Sequence, residues 1–160
     1  MIGYKVNWSY IAIPLVTLVV ARAGSVVTMD SVNTWYTTLN QPVLSPPNWV
    51  FGPVWALLYI LATIAAIIVW NKIKAGRLRT SLLTLFAVNA AANGYWSVTF
   101  FANNDFSHAI ALEVVMILTL LGLIGGAWKE KRVVSWLLLP YLLWVCFATY
   151  LTWQIWVLNP

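Results

Sequence analysis

The 160-residue chain is 62% hydrophobic, and only 8% of its residues are charged, against about 25% in a typical soluble domain. This balance excludes a soluble globular protein, because a fold of this size could not hide so much apolar surface from water. The net charge of +5 comes from basic clusters between apolar runs, which is typical of cytoplasmic loops in membrane proteins. We therefore expect membrane lipid as a partner and no nucleic acid. The single cysteine, Cys146, is expected to be a buried, inert thiol.

Five apolar runs are each long enough to cross a bilayer, for which a helix needs about 20 residues. The other spanning structure, a closed β-barrel, requires a two-residue alternation that these runs lack. The sequence therefore predicts an all-α membrane protein, a five-transmembrane-helix bundle that forms one domain over residues 1–160. The predicted spans are 9–27, 50–70, 81–101, 107–128 and 133–158.

The charged residues orient this bundle. With five spans, the N-terminus, the second loop and the fourth loop share one side, and they hold every Lys and Arg except Arg22. The positive-inside rule places that side in the cytoplasm and the C-terminus outside. Arg22 and Glu113 fall inside spans, nearer the outer surface. Because charges are costly there, they either pair with each other or reach the membrane surface separately.

Aromatic residues make up 15% of the chain, and most of them fall in the predicted outer half of the bundle. A belt of Trp and Tyr at the membrane surfaces would be roughly symmetric. Several outer aromatics instead share helix faces with one another and with polar or small residues. These faces comprise Trp55 with Tyr59, Asn89 with Asn93, Trp96 and Phe100, and Trp144 with Ala148 and Leu151. They either line a pocket for a flat ligand or pack helices together, and the two asparagines either hydrogen-bond a ligand or tie helices.

Three further features of the sequence bear on helix packing, on access to the outer half and on metal binding. Gly122 and Gly126 form a GxxxG pair that serves either packing within the bundle or a dimer interface. The segment 28–48 is apolar and stiffened by prolines, so it is either a lid over the outer half or a loop packed on the helix ends. His108 has no second His or Cys nearby in the sequence, so no metal site is expected.

Distinctive sequence blocks occur in the first half and in the last span. The first half contains Trp35-Tyr36, Gln41-Pro42 and the run 45–55 (SPPNWVFGPVW), and the last span contains the run 139–150 (LPYLLWVCFATY). Together with Asn89, Asn93 and Trp96 of the third span, these blocks resemble the TspO/MBR family. That family includes the tryptophan-rich sensory proteins of bacteria and the mitochondrial translocator protein. The resemblance extends in order over nearly the whole chain.

This resemblance implies a five-helix bundle, often a homodimer, that binds porphyrin, haem-like tetrapyrroles and other flat lipophilic molecules without a required cofactor. Matching positions imply a pocket lined by Tyr36, Trp55, Tyr59, Asn93, Trp96, Trp144, Phe147 and Ala148. Some bacterial members of the family break down protoporphyrin IX in a light- and oxygen-dependent reaction. The resemblance assigns that chemistry to Trp55 and Trp144, as candidate catalytic residues. The expected location is a bacterial cell membrane.

Three functions follow from the resemblance as expectations. The first is a sensor or regulator of tetrapyrrole metabolism or stress, and the second is an enzyme that degrades porphyrin. The third is a transporter of tetrapyrroles or other lipophiles, ranked last because the sequence shows no inverted repeat or pair of broken helices. The chain also departs from the family pattern. Relatives that bind cholesterol carry an aromatic residue followed by a basic one late in the fifth helix. Here no basic residue follows Tyr150, so sterol binding by that motif is not expected. In addition, Glu113 stands where Asp is common in the family.

Overall fold

The fold is a bundle of five long helices, described for residues 7–160 by a computed structural model. The helices are α1 (Ser9–Asn33), α2 (Asn48–Lys72), α3 (Arg77–Ser97), α4 (Phe106–Trp128) and α5 (Arg132–Leu158). A 3₁₀-helix (Trp35–Thr38) lies between α1 and α2, and a π-helix (Val98–Ala102) continues α3. The all-helical class is confirmed. Lys5, which contributed to the predicted charge pattern, lies outside the described residues.

The ends of α2, α4 and α5 lie within two residues of the predicted spans, whereas α3 begins at Arg77, four residues before its predicted span, and α1 differs most. This helix runs to Asn33, beyond the predicted end at residue 27, so the segment predicted as a loop over 28–48 is a loop only over 34–47. The segment 28–33 lacks the apolar character of a span, yet Ser31 donates a hydrogen bond to the carbonyl oxygen of Phe101 (3.1 Å). That contact holds the last turns of α1 against the π-helix.

Four of the five long helices in the described part of the chain are long and apolar enough to cross a membrane: α1, α2, α4 and α5. The remaining helix, α3, is the shortest at 21 residues, and it carries two arginines in its first turn. Its asparagines, Asn89 and Asn93, are both buried, and α3 packs against α1, α2 and α4. The amides of Asn89 and Asn93 therefore point into the bundle.

The apolar core lies between α2, α3, α4 and α5. Its fully buried side chains are Leu58, Val69, Leu82, Met116, Leu120, Leu123, Leu138 and Val145. No described residue of α1 belongs to this core, and α1 packs along α2 and α3 instead. The first helix therefore forms an outer wall against a core that the other four helices already close.

Small residues let α3 and α4 approach closely. A Cβ atom at Gly126 would lie 3.0 Å from Cδ2 of Leu82, and one at Gly122 would lie 3.1 Å from Cδ1 of Leu85. Both glycines therefore contact α3 within the bundle, but Gly122 is also exposed, so a dimer interface at this pair stays a prediction. Cys146, in contrast, is exposed on α5, so the prediction of a buried thiol is wrong.

The two ends of the bundle differ in chemistry. One end, called here the basic end, carries the connections 73–76 and 129–131 with the adjoining helix ends. Asn71 donates a hydrogen bond to Ser9 there (2.8 Å). The other, called the aromatic end, carries the loop 34–47, the turn before α4 and the C-terminal end of α5. At the start of α4, the Asp105 carboxylate accepts a hydrogen bond from the backbone N–H of His108 (3.1 Å), and this bond lowers the pKa of Asp105.

Candidate functional site: an aromatic cavity

A cavity of about 510 Å³ lies in the half of the bundle nearer the aromatic end, between α1 and the core helices. Its volume falls within the range of about 300–1,000 Å³ that is usual for small-molecule sites. Helices α1, α2, α3 and α5 contribute to its lining, together with the π-helix and the loop. The predicted site residues that line it are Tyr36, Trp55, Tyr59, Asn93, Trp96, Phe100, Trp144, Ala148 and Leu151.

Aromatic rings form a continuous wall on one side of this cavity. The Trp55 ring lies 5.6 Å from Tyr59 and 6.3 Å from Trp96, measured between centroids. Trp96 in turn stacks on Phe100 at 5.4 Å, with 21° between the ring planes. The helix faces predicted from residue spacing thus meet between α2 and α3. Their rings contact one another in offset and edge-to-face arrangements.

The π-helix adds a ring that the sequence did not reveal. Its wider turn is marked by the hydrogen bond from the backbone N–H of Asn103 to the carbonyl oxygen of Val98 (3.0 Å). Phe100 and Phe101, although adjacent in sequence, both line the cavity and pack edge to face at 4.8 Å. Phe101 was missed because a π-turn leaves no mark in hydropathy or helical periodicity, although such turns recur at functional sites.

A chain of three polar groups crosses the bundle beside the aromatic wall. The Tyr59 hydroxyl donates to Oδ1 of Asn93 (2.6 Å), and Nδ2 of Asn93 donates to the Tyr141 hydroxyl (3.1 Å). Asn93 is 2% exposed and Tyr141 is 4% exposed. Both ends of the Asn93 amide are therefore used to tie α2, α3 and α5 together at the cavity edge.

Two predicted site residues do not line the cavity. The side chain of Asn89 donates to Thr119 Oγ1 (2.8 Å) and to the carbonyl oxygen of Met116 (3.1 Å), so it ties α3 to α4. Phe147 lies against the Trp144 ring at 5.8 Å but outside the lining. Their placement in the pocket is corrected, because each shares a helix with lining residues but points in another direction.

Glu113 is buried beneath the cavity and has a different partner from the one hypothesised. Its Oε1 accepts a hydrogen bond from the Thr152 hydroxyl (2.9 Å), while Oε2 has no partner among the described residues. The ion pair recorded in residues 7–160 joins His108 to Asp105. The hypothesised Arg22–Glu113 pair is therefore wrong, and Arg22 instead lines the cavity.

The wall formed by α1 was not predicted. It presents small and apolar side chains together with one arginine: Leu18, Ala21, Arg22, Gly24, Ser25, Thr28, Met29 and Val32. A Cβ atom at Gly24 would lie 3.0 Å from Oγ of Ser97, so α1 and α3 make close contact beside the cavity. These positions recur every three or four residues, so the sequence places them on one helix face. That face contains no aromatic residue, and the prediction of the pocket relied on aromatic residues.

The loop 34–47 closes the aromatic end of the bundle. The backbone N–H of Asn40 donates to Oδ1 of Asn159 (2.9 Å), and Nδ2 of Asn159 donates back to the Asn40 carbonyl oxygen (3.2 Å). Tyr36 is 6% exposed and packs on Phe100 at 6.2 Å and on Phe101 at 6.1 Å. Burial raises the pKa of Tyr36, and hydrogen bonding to Ser45 opposes this in part. The loop is thus packed on the helix ends and contributes a ring to the cavity.

A bundle of apolar helices around an aromatic cavity of this size defines a helical membrane protein with an internal cavity. The model of the TspO/MBR family matches residues 11–157, and the chain therefore belongs to the TspO/MBR family. It is 36% identical to the tryptophan-rich protein TspO of Archaeoglobus fulgidus over 151 residues, covering 91% of this chain and 93% of the relative. It is 31% identical to protein CrtK of Rhodobacter capsulatus, covering 88% of each chain. With the human translocator protein it shares 29% identity, over 76% of this chain and 73% of the relative.

Proposed function

We propose that this membrane protein binds porphyrin, haem or similar flat tetrapyrroles in the aromatic cavity and acts as a sensor or regulator of tetrapyrrole metabolism or stress. The observation that carries the proposal is the connected ring wall of Trp55, Tyr59, Trp96 and Phe100 around a volume of about 510 Å³. The name of a relative in Cereibacter sphaeroides, tryptophan-rich sensory protein, agrees with a sensory role.

Ring stacking is the interaction that suits such a ligand. Each aromatic contact adds about 0.5–1.5 kcal/mol beyond the burial of apolar area, and a planar macrocycle can contact several rings at once. The Tyr59–Asn93–Tyr141 chain is engaged within the protein, and the indole N–H groups of Trp96 and Trp144 are buried without a hydrogen-bond partner among the described residues. The rest of the lining is mainly apolar. The cavity therefore favours a ligand recognised by shape and stacking over a sugar-like ligand recognised by hydrogen bonds.

The proposal includes five membrane spans, with the N-terminus in the cytoplasm and the C-terminus outside. The fifth span is α3 with its π-helix, which together run from residue 77 to residue 102. Because Asn89 and Asn93 hydrogen-bond inside the bundle, their amides do not meet lipid, where an unpaired amide would be costly. The basic residues of the α2–α3 and α4–α5 connections then lie on the cytoplasmic face.

Cysteine labelling tests this orientation. Cys146 is first replaced by serine, and single cysteines are then introduced in place of Lys74 or Asn159 in separate variants. In sealed right-side-out vesicles, a membrane-impermeant maleimide is expected to label the variant at 159 and to spare the variant at 74 until the vesicles are opened. Equal labelling of both variants in sealed vesicles would refute the orientation.

Binding is tested with a variant that fills the cavity and a matched control. Gly52 lines the cavity, and a Cβ atom there meets nothing within 4 Å. Gly125 has equally open surroundings but lies on α4, outside the lining. Gly52→Leu therefore projects a side chain into the ligand volume, whereas Gly125→Leu makes the same chemical change elsewhere.

The titration measures quenching of tryptophan fluorescence by protoporphyrin IX in detergent or nanodiscs. Saturable quenching is expected for the unmodified protein and for Gly125→Leu, with an affinity at least about tenfold weaker for Gly52→Leu, because occupying the volume removes ring contacts. Quenching that rises linearly without saturation, or that is identical in the two glycine variants, would sink the proposal.

A second candidate function is photo-oxidative degradation of protoporphyrin, in which light and dioxygen are the co-reactants. The observation that favours it is that Trp55 and Trp144, the two tryptophans implied by the family resemblance, both line the cavity. Illumination of the bound porphyrin is expected to produce a bilin-like absorbance that is lost in Trp55→Phe and Trp144→Phe. Bleaching at the same rate in both variants, with affinity retained, would exclude a role for these indoles.

A further inference from the structure

Arg22 occupies an unusual position for a charged residue in a membrane helix. It lies roughly 20 Å along α1 from Ser9 and roughly 17 Å from Asn33, at about 1.5 Å per residue. Arg22 is thus central in the whole of α1 and lies inside its apolar part, which the sequence predicts to end at residue 27. The side chains of arginines near helix ends reach the headgroups, but those at mid-span face the bundle interior or a cavity and mark a ligand or ion pathway.

The surroundings of Arg22 contain no negative partner among the described residues. It is the one charged side chain in the described lining of the cavity, and the recorded ion pair lies elsewhere, between His108 and Asp105. On the same wall, the Ser25 hydroxyl donates to the Arg22 carbonyl oxygen (3.0 Å) and the Thr28 hydroxyl to that of Gly24 (2.8 Å). Arg22 is exposed and lines a cavity that holds no other charged residue among those described, and no described acidic side chain pairs with its guanidinium.

We propose that Arg22 is a specificity-determining residue that binds an acidic group of the ligand, so that the cavity selects flat, conjugated molecules that carry a carboxylate. This inference rests on the proposed binding function and adds to it a requirement for an acidic group on the flat ligand, recognised by Arg22. The aromatic wall holds the apolar body of the ligand, and α1 supplies the charge that holds its acidic edge.

The chemistry of the guanidinium supports this assignment. Its planar array of five N–H donors matches a carboxylate with two parallel hydrogen bonds. At membrane depth, an unpaired cation is costly, and an anionic ligand relieves that cost when it binds. A neutral ligand of the same shape would leave the guanidinium unpaired, so the difference in affinity between acid and neutral ester measures the contribution of Arg22.

The test compares protoporphyrin IX, which carries two carboxylic acids, with its dimethyl ester, which has the same ring system without ionisable acids. Affinities for both are measured by tryptophan quenching in nanodiscs of uncharged lipid. The variants are Arg22→Gln, Arg22→Lys and the control Lys129→Gln, which removes one positive charge at the basic end, outside the cavity lining.

The unmodified protein and Lys129→Gln are expected to bind the free acid at least about tenfold more tightly than the ester, as is usual for a hydrogen-bonded charge pair. Arg22→Gln is expected to abolish that preference by weakening acid binding alone, and Arg22→Lys to retain part of it. Equal affinities of the unmodified protein for acid and ester, or an equal loss for both ligands in Arg22→Gln, would overturn the inference while leaving the binding function in place. Absence of saturable binding of either compound to the unmodified protein would instead overturn the binding function itself.

Discussion

Replacement of Asn93 by alanine would remove the junction of three helices. The amide accepts a hydrogen bond from Tyr59 (2.6 Å) and donates one to Tyr141 (3.1 Å), so the substitution breaks both. Side-chain hydrogen bonds between membrane helices contribute on average about 0.6 and at most about 1.7 kcal/mol each. The expected loss in the free energy of unfolding is therefore about 1–3 kcal/mol, toward the upper end because the Tyr141 hydroxyl is left buried without its donor.

The assay is equilibrium unfolding in mixed micelles, followed by near-ultraviolet circular dichroism. Asn103→Ala is the control, because it removes an asparagine that is exposed in the turn before α4, and it is expected to change stability little. In a double-mutant cycle, Tyr59→Phe should cost less in the Asn93→Ala background than alone, because its partner is already gone. Equal stability of the Asn93 and Asn103 variants, or strictly additive losses in the cycle, would refute the hydrogen-bonded chain.

Two further substitutions test hydrogen bonds that lie outside the cavity lining. Asn89→Ala breaks the bonds that tie α3 to α4 near Thr119, so unfolding is expected to become easier by about 1 kcal/mol. The affinity for protoporphyrin should stay within about twofold of the original, and a large drop in affinity with unchanged stability would return Asn89 to the binding site. Asn159→Ala breaks the two bonds to the backbone of Asn40, so limited proteolysis within 34–47 should become several-fold faster, while an unchanged rate would show that these bonds do not hold the loop.

The sequence was sufficient to predict the helices and much of the aromatic wall. The apolar runs gave the helix count, because hydropathy over about 20 residues is a strong signal in a membrane protein. The four- and three-residue spacing of Asn93, Trp96 and Phe100 placed them on one face, and they do line one cavity. Trp55 and Tyr59 followed from the same rule on α2.

The predictions failed where the local sequence pattern determines neither the direction in which a side chain points nor the length of a helix. Asn89 shares a helical stripe with Asn93, but its amide bonds to α4 while that of Asn93 bonds at the cavity edge. The stripe is wide enough to touch two neighbouring helices, and periodicity alone cannot assign each residue to one of them. The last turns of α1 are polar, and tertiary contacts there override hydropathy, so the helix continues to Asn33 beyond the predicted span. Phe101 reaches the cavity only through the π-turn.

The most direct test of the account is an experimental structure of the protein with protoporphyrin IX bound. The account predicts density for the macrocycle between α1 and the aromatic wall, with its plane against Trp55 or Trp96 and an acidic edge near Arg22. A macrocycle on the lipid-facing surface of the bundle, or among the tryptophans and cations of the basic end, would contradict it.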